Sequence, residues 1–388
     1  MSATEMSTTE PLDAPSTPVL AEARRVMEIC NACRYCEGYC PVFPAMERRR
    51  AFPDGDLTHL ANLCHNCKGC WYACQYAPPH EFGVNLPRTF AELRAESWEA
   101  HAWPRPLARL FQRNGLWLSL ATALALALVL ILSMLLTGPG VFTGVHRGEG
   151  AFYAVIPYEA MVAVGTLTFG YAVLAMVMGA LSYWRAAGGG RVRPADVVAA
   201  LRAAATTRHL DGGGAGCNDT DERYRMGRRH LHLATMWGFL LCFAATCVAT
   251  VMDHGLGWVA PYSWYSLPVL LGTVGGVGLT IGPAGLFWLK ITADREPSEP
   301  RHLGMEHAFL ALLFFTATSG LALLLFRHTS AMGGLLALHL GFVLALFLVL
   351  PYSKMVHGVY RLLALVREAG EAAEERREVI GLQAEGRG

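Results

Sequence analysis

The sequence has little charge and almost no excess of either sign. Only 16% of its 388 residues are Asp, Glu, Lys or Arg, and the formal net charge is +1. Because no basic stripe interleaved with aromatic residues is present, we set aside nucleic acid as a partner. Residues 1–20 also lack the apolar core and the positive start of a secretory signal, so we expect a disordered tail there.

Apolar residues are abundant, at 53% of the chain, and the mean hydropathy is +0.31. Six long stretches contain no charged residue, and each is long enough to cross a hydrocarbon core, which takes about 20 helical residues. Helices are expected, since a lone strand leaves its backbone unsatisfied in lipid. The predicted spans are 116–136, 160–184, 231–252, 267–289, 308–326 and 333–353.

Arginine placement predicts how these spans are oriented. Nine arginines lie within residues 185–229, the connection between the second and third spans. Connections rich in Arg and Lys stay on the cytoplasmic side, so we expect both termini in the cytoplasm and a bacterial-type inner membrane location. The tail, residues 358–388, is expected in the cytoplasm, and from Arg367 onward it is rich in Glu and Arg and is predicted to be a solvated terminal helix.

Eight of the eleven cysteines lie in one segment and form two runs of identical spacing, Cys-x2-Cys-x2-Cys-x3-Cys. This is the run of bacterial two-cluster ferredoxins, in which the fourth cysteine ligates the other cluster. Zinc also binds Cys-x2-Cys pairs, but two complete four-cysteine runs favour two [4Fe-4S] clusters. The predicted ligands are Cys30, Cys33, Cys36 and Cys74 for the first cluster and Cys64, Cys67, Cys70 and Cys40 for the second.

The predicted fold is therefore mainly α, with a ferredoxin-like head over residues 21–110 and a six-span membrane domain over residues 111–357. The sequence departs from the two-cluster pattern at Gln75, which follows Cys74 where proline is usual. Two clusters without a dinucleotide fingerprint or an acid-base constellation beside them indicate relay of single electrons. We predict an oxidoreductase component whose organic chemistry lies on a partner.

Histidines at the ends of two spans are candidate haem b ligands. His339 and His357 are 18 residues apart, about 27 Å along a helix, and the third span carries His232 and His254 at its two ends. Antiparallel spans would pair His232 with His357 inside and His254 with His339 outside. The inner pair is the preferred site. Ordinary interface roles are the alternative, and three further histidines compete with His232: His230, His302 and His307.

The chain resembles the tricarballylate and citrate utilisation protein B family over residues 21–366. The resemblance rests on CNACRYCEGYCPVFPA, CHNCKGCWYACQYAPPHEFGVNLP and RRHLHLATMWGFLLC. It implies a protein that takes electrons from the reduced flavin of a partner dehydrogenase acting on tricarballylate and passes them to the membrane. The last span also resembles the final helix of respiratory nitrate reductase gamma subunits, and this likeness implies haem ligation by His339 and His357.

The expected function is electron transfer from a soluble FAD-dependent dehydrogenase, through two [4Fe-4S] clusters and haem b, to membrane quinone. One alternative is a catalytic iron-sulfur subunit of heterodisulfide or glycolate-oxidase type. Proteins that look like members of that class carry a Cys-Cys-Gly segment, whereas this chain has no adjacent cysteines. A transporter or redox sensor is a third possibility, but it leaves the eight cysteines unexplained and no internal repeat supports it.

Overall fold

The computed structural model describes residues 17–113 and 115–385, which form helices and turns without a named strand. Residues 1–16 of the predicted tail lie outside this part, and the first helix already begins at Pro18. The helices are α1 (Pro18–Cys33), α2 (Val42–Glu47), α3 (Asp54–Leu63), α4 (Gly69–Tyr72), α5 (Leu86–His101), α6 (Arg105–Arg113), α7 (Gly115–Thr137), α8 (Pro139–Phe142), α9 (Ala151–Val155), α10 (Tyr158–Ala186), α11 (Pro194–Ala205), α12 (Gly227–Leu256), α13 (Leu267–Thr292), α14 (Leu303–Phe326), α15 (Met332–Val349) and α16 (Val356–Glu385).

Six of these helices, α7, α10, α12, α13, α14 and α15, are long and apolar enough to cross a membrane. They coincide with the six predicted spans, so the predicted mainly α fold with six membrane helices is confirmed. The end of the sixth span differs from the prediction. α15 stops at Val349, a turn containing Pro351 follows, and His357 belongs to α16. His339 and His357 therefore lie on two helices, and the straight 27 Å separation was wrong.

Glycines bring α12 and α13 together inside the membrane domain. A Cβ atom added at Gly275 would lie 2.8 Å from the Gly238 carbonyl oxygen, and one added at Gly282 would lie 2.6 Å from the Thr235 nitrogen. Small residues allow such backbone approach in lipid. Helix α12 is thereby held against α13 along the length that begins near His232.

The head is built by α1 to α5 around a buried apolar core that includes Met27, Phe43, Leu60 and Phe90. Helix α16 completes this core with Ala364, Leu365 and Val366. The first half of α16 is therefore packed on the head, and the prediction of a solvated helix from Arg367 onward is wrong for the start of that segment, where the Arg367 and Glu368 side chains are 12% and 13% exposed. Its charges pair across the contact: Arg48 Nη1 lies 2.8 Å from Glu368 Oε2, and Arg49 Nη2 lies 2.9 Å from Glu371 Oε1.

The connection between the second and third spans also folds onto the head. Its helix α11 packs beside α16, where the Arg193 guanidinium donates to the Gly370 carbonyl at 3.0 Å. Further along, the backbone N–H of Asn218 donates to the Cys67 carbonyl at 2.9 Å, and the buried Cys217 packs against Cys67. The arginine-rich segment thus covers the second cysteine run.

Candidate functional site

The four cysteines predicted for the first cluster line one pocket at the surface of the head. Cys30, Cys33, Cys36 and Cys74 all contribute to its wall, and Cys70 of the second run borders it. Burial, with the nearby Cys74 and Cys36, raises the pKa of the Cys30 thiol to about 12. Four convergent thiols are the donor set of a [4Fe-4S] cube, which binds them as thiolates and displaces their protons.

The second group of cysteines lies deeper, and Cys64 and Cys67 are buried. The pKa of the Cys40 thiol is raised well above 9.0 by burial and further by the nearby Cys67 and Cys64. The pKa of Cys70 is raised in the same way by burial and by Cys67 and Cys40. The fold thus brings the fourth cysteine of the first run to the second run, which is the arrangement that the spacing predicts.

Cationic side chains from distant parts of the chain hold the second run. The Cys64 carbonyl accepts hydrogen bonds from Arg94 at 2.6 Å and from Arg361 at 2.8 Å. Arg228 donates to the Asn66 carbonyl at 2.6 Å. This arginine near His232 therefore holds the loop of the second cysteine run, a contact that the sequence did not predict. Lys68 is buried and donates to Ser298 Oγ at 2.8 Å.

The inner histidine pair is brought together by the fold. The ring centroids of His232 and His357 are 6.0 Å apart. Two imidazoles that share one metal ion have about this separation, since each metal-nitrogen bond is about 2 Å. His357 Nδ1 lies 2.5 Å from the Lys354 carbonyl oxygen and donates to it, which leaves its Nε2 free to ligate. His232 Nδ1 is buried without a hydrogen-bond partner. These two residues would be suited to hold the iron of a haem.

The outer histidines have separate neighbours. The His254 side chain is 52% exposed, and its Nε2 lies 2.8 Å from the Tyr158 hydroxyl. His339 Nδ1 faces α14 instead, 3.1 Å from the Thr316 carbonyl oxygen. Gly320 makes room for this ring, because an added Cβ atom would lie 2.8 Å from His339 Cε1. In the described residues no ring contact joins His254 to His339.

Comparison with known proteins supports the resemblance seen in the sequence. Residues 109–378 match the family model of citrate utilization protein B, and residues 23–100 match the Fer4-like domain of that protein. A citrate utilization protein B of Escherichia coli is 45% identical over 352 residues, which cover 90% of this chain and 92% of that protein. The chain belongs to the citrate utilization protein B family. No solved structure matches it.

Membership of the citrate utilization protein B family fixes the coarse role of the two regions. The Fer4-like match covers both cysteine runs, which indicates an iron-sulfur electron-transfer role for the head. The larger match covers all six apolar helices, and the chain is a membrane protein. The cysteines and the inner histidine pair are the residues of this family member that its fold gathers into candidate redox sites.

One histidine that the sequence analysis did not single out lies beside the second cysteine run. The ring centroids of His65 and His209 are 5.6 Å apart, and burial lowers the pKa of both rings. Among the other candidate histidines, His230 is exposed and the His307 ring packs on Phe287, with ring centroids 4.8 Å apart. These histidines differ only in their neighbours in the folded structure. Sequence spacing therefore could not predict that His209 lies beside the second cysteine run.

A second cluster of ligand-type side chains lies where α16 meets α3. Atoms of His59, Glu368 and Glu371 lie within 4.8 Å of one another, and both ring nitrogens of His59 are buried without a hydrogen-bond partner. Both carboxylates are already paired with arginines, Glu368 with Arg48 and Glu371 with Arg49. The two guanidinium groups balance the charge of these carboxylates and would repel a metal cation. We therefore assign this cluster to helix packing.

Proposed function

We propose that this chain carries electrons from the reduced flavin of a soluble FAD-dependent dehydrogenase to quinone in the membrane. The proposed carriers are two [4Fe-4S] clusters, held by the two cysteine groups, and one haem b held by His232 and His357. Bound there, the clusters and the haem supply reversible one-electron reduction. The chain provides the ligands, their spacing and their burial, and no acid-base chemistry on an organic substrate is required of it.

The observation that carries the proposal is the continuity from the second cysteine group to the inner histidine pair. Arg361 donates to the Cys64 carbonyl, and His357 lies one helical turn earlier on α16. Four residues along a helix correspond to about 6 Å of rise. The same helix therefore contacts the backbone of a cluster ligand and supplies a haem ligand, and this supports transfer from the head into the membrane domain.

The electron balance sets what the two ends must do. One reduced flavin gives up two electrons and two protons, and one quinone takes up two electrons and two protons to become quinol. The chain passes the electrons one at a time between these two-electron partners. The open pocket of Cys30, Cys33, Cys36 and Cys74 faces the surface and fits the entry side, while the buried second group fits the exit side.

Orientation and partner belong to the same proposal. We place the head and α16 in the cytoplasm of a bacterial cell, because the arginine-rich connection 185–229 folds onto the head and such segments stay inside. The relative from Escherichia coli is named for citrate utilization. We therefore propose that the partner dehydrogenase oxidises a tricarboxylate, with tricarballylate as the first substrate to test.

A dithionite-reduced minus oxidised visible spectrum of the purified protein tests the carriers, with iron and haem quantified on the same sample. We expect a sharp b-type α band and about eight cluster irons for two cubes. Adding a quinone analogue should reoxidise both sets of signals. Iron-sulfur bleaching without a haem band would remove the haem from the proposal. Reduced protein that quinone does not reoxidise would contradict the proposed acceptor.

A further inference from the structure

Two guanidinium groups, one buried and one partly buried, converge on the second cysteine run without a carboxylate partner among the described residues. Arg94 is 4% exposed and Arg361 is partly buried, and both donate to the Cys64 carbonyl. Within the described residues, neither arginine forms a salt bridge with an Asp or a Glu. Buried charges are normally paired, because removing an unpaired charge from water is costly. We therefore expect these two arginines to face an anion that the side chains of the protein do not supply.

The position of the pair indicates which anion that is. Both guanidinium groups donate to the backbone carbonyl of Cys64, a predicted ligand of the second cluster, at 2.6 Å and 2.8 Å. A [4Fe-4S] cube with four thiolates is an anion, and reduction adds a further negative charge. Fixed cations beside such a cube stabilise the reduced form more than the oxidised form, because the Coulomb energy grows with the charge of the cluster.

The first cysteine run has no comparable environment. Arg34 follows Cys33 in the chain, but it is exposed and donates to the carbonyl of Asn31 at 3.1 Å. Solvent screens an exposed charge, so its influence on a neighbouring cluster is small. The two cubes would have the same ligands and different surroundings, with unpaired buried positive charge at the second one only.

We infer that Arg94 and Arg361 raise the reduction potential of the second cluster above that of the first and so direct electrons from the exposed pocket toward α16. This inference rests on the proposed function, since it needs both clusters. Arg94 and Arg361 act through charge and do not ligate iron. An electron entering at the first cluster reduces the second cluster as the first is reoxidised, and no proton or bond changes partner in this step.

The experiment is an EPR-monitored redox titration of the full-length protein and of Arg361→Gln. In the wild type we expect two separated midpoint potentials. In Arg361→Gln the higher one should fall by at least a tenfold change in its reduction equilibrium, about 59 mV for one electron. The lower potential should stay where it was. Arg34→Gln is the matched control at the first run, and both of its potentials should remain near the wild-type values.

Arg361→Lys separates charge from hydrogen bonding, because lysine keeps the positive charge without the planar fork. Its higher potential should stay close to the wild-type value. Coincident midpoints in the wild type overturn the inference, as does an Arg361→Gln protein whose clusters do not shift. A shift of the haem potential alone would assign the pair to the haem instead. A wild type without two clusters would contradict the proposed function itself, so the two failures are distinguishable.

Discussion

The two cysteine runs share their spacing and a left-handed basic residue after the second cysteine, yet they lie in different surroundings. The residue after the second cysteine is basic and left-handed in both, with φ of 56° at Arg34 and 64° at Lys68. Arg34 is exposed, whereas Lys68 is 4% exposed and reaches Ser298 between α13 and α14. The next position is Tyr35, 68% exposed, in one run and the buried Gly69 in the other.

This difference teaches that spacing and environment are set by separate parts of the chain. The local run decides which thiols converge: Cys30 and Cys33 lie at the end of α1, Cys70 lies in the short α4, and turns next to these helices present the other cysteines. Contacts between residues distant in the sequence set the solvent exposure and the nearby positive charge of each cysteine group. At the second run these contacts come from α5, α16 and the loop that contains Asn218. The first run is therefore suited to a soluble partner, and the second to the membrane domain.

The largest expected effect comes from removing one ligand from each run. Cys33→Ser and Cys67→Ser should each abolish one of the two cluster EPR signals, because serine is a poor replacement for a thiolate ligand. Iron should fall from about eight to about four per protein in both, while the haem band stays. Cys247→Ser, at an exposed cysteine outside the runs, is the control. If either variant lost both cluster signals, the two groups would not be separate sites.

The histidine that shares α16 with Arg361 gives the next effect. His357→Ala should abolish the b-type α band and leave both cluster EPR signals, because it removes one of the two histidines that would hold the proposed haem. His339→Ala and His254→Ala should keep the band, since their rings contact Thr316 and Tyr158 and not each other. Haem content by pyridine haemochrome measures this. Loss of half the haem in His339→Ala would restore a second, outer site.

Lys68→Met tests whether the second run is fastened to the membrane domain. The change removes the hydrogen bonds that the buried Lys68 ammonium donates to the Asp294 carbonyl at 3.2 Å and to Ser298 Oγ at 2.8 Å. Hydrogen bonds to a charged group contribute about 1.5–3 kcal/mol each, so the detergent-solubilised protein should unfold at a lower temperature. Arg34→Met, at the equivalent exposed position, should change the free energy of unfolding by less than about 0.5 kcal/mol. Equal losses of unfolding free energy in the two variants would contradict the proposed difference between the two runs.

How far the sequence could predict these features depends on the range of the interactions. Span positions and the cysteine groups follow from local composition and spacing, and the helices lie where they were expected. The contact of Arg361 with Cys64 joins residues 297 positions apart, and that of Lys68 with Ser298 joins residues 230 apart. No periodicity encodes such contacts. The break at Pro351 was readable in principle, since proline disfavours a continuous helix, but apolar composition hid it.

The smallest predicted effect concerns the packing of α16 on the head. This helix carries Arg361, which contacts the second cysteine run. Burial raises the pKa of Glu368 from 4.5 to about 7, against the opposing influence of Arg48. The folded protein then keeps a proton that the unfolded chain has released, so this stabilisation is full below about pH 4.5 and is lost as the pH rises through 7. Glu368→Gln stays neutral at every pH.

The melting temperature of the wild type minus that of Glu368→Gln should therefore become more favourable to the wild type on going from about pH 8 to about pH 5. Glu375→Gln, at a more exposed partner of the same arginine, is the control and should show a weaker trend. A difference that does not change with pH would mean that Arg48 keeps the Glu368 carboxylate charged. The ion pairs of α16 would then hold the helix on the head unaided by protonation, and the surroundings of the second run would be the same throughout this pH range.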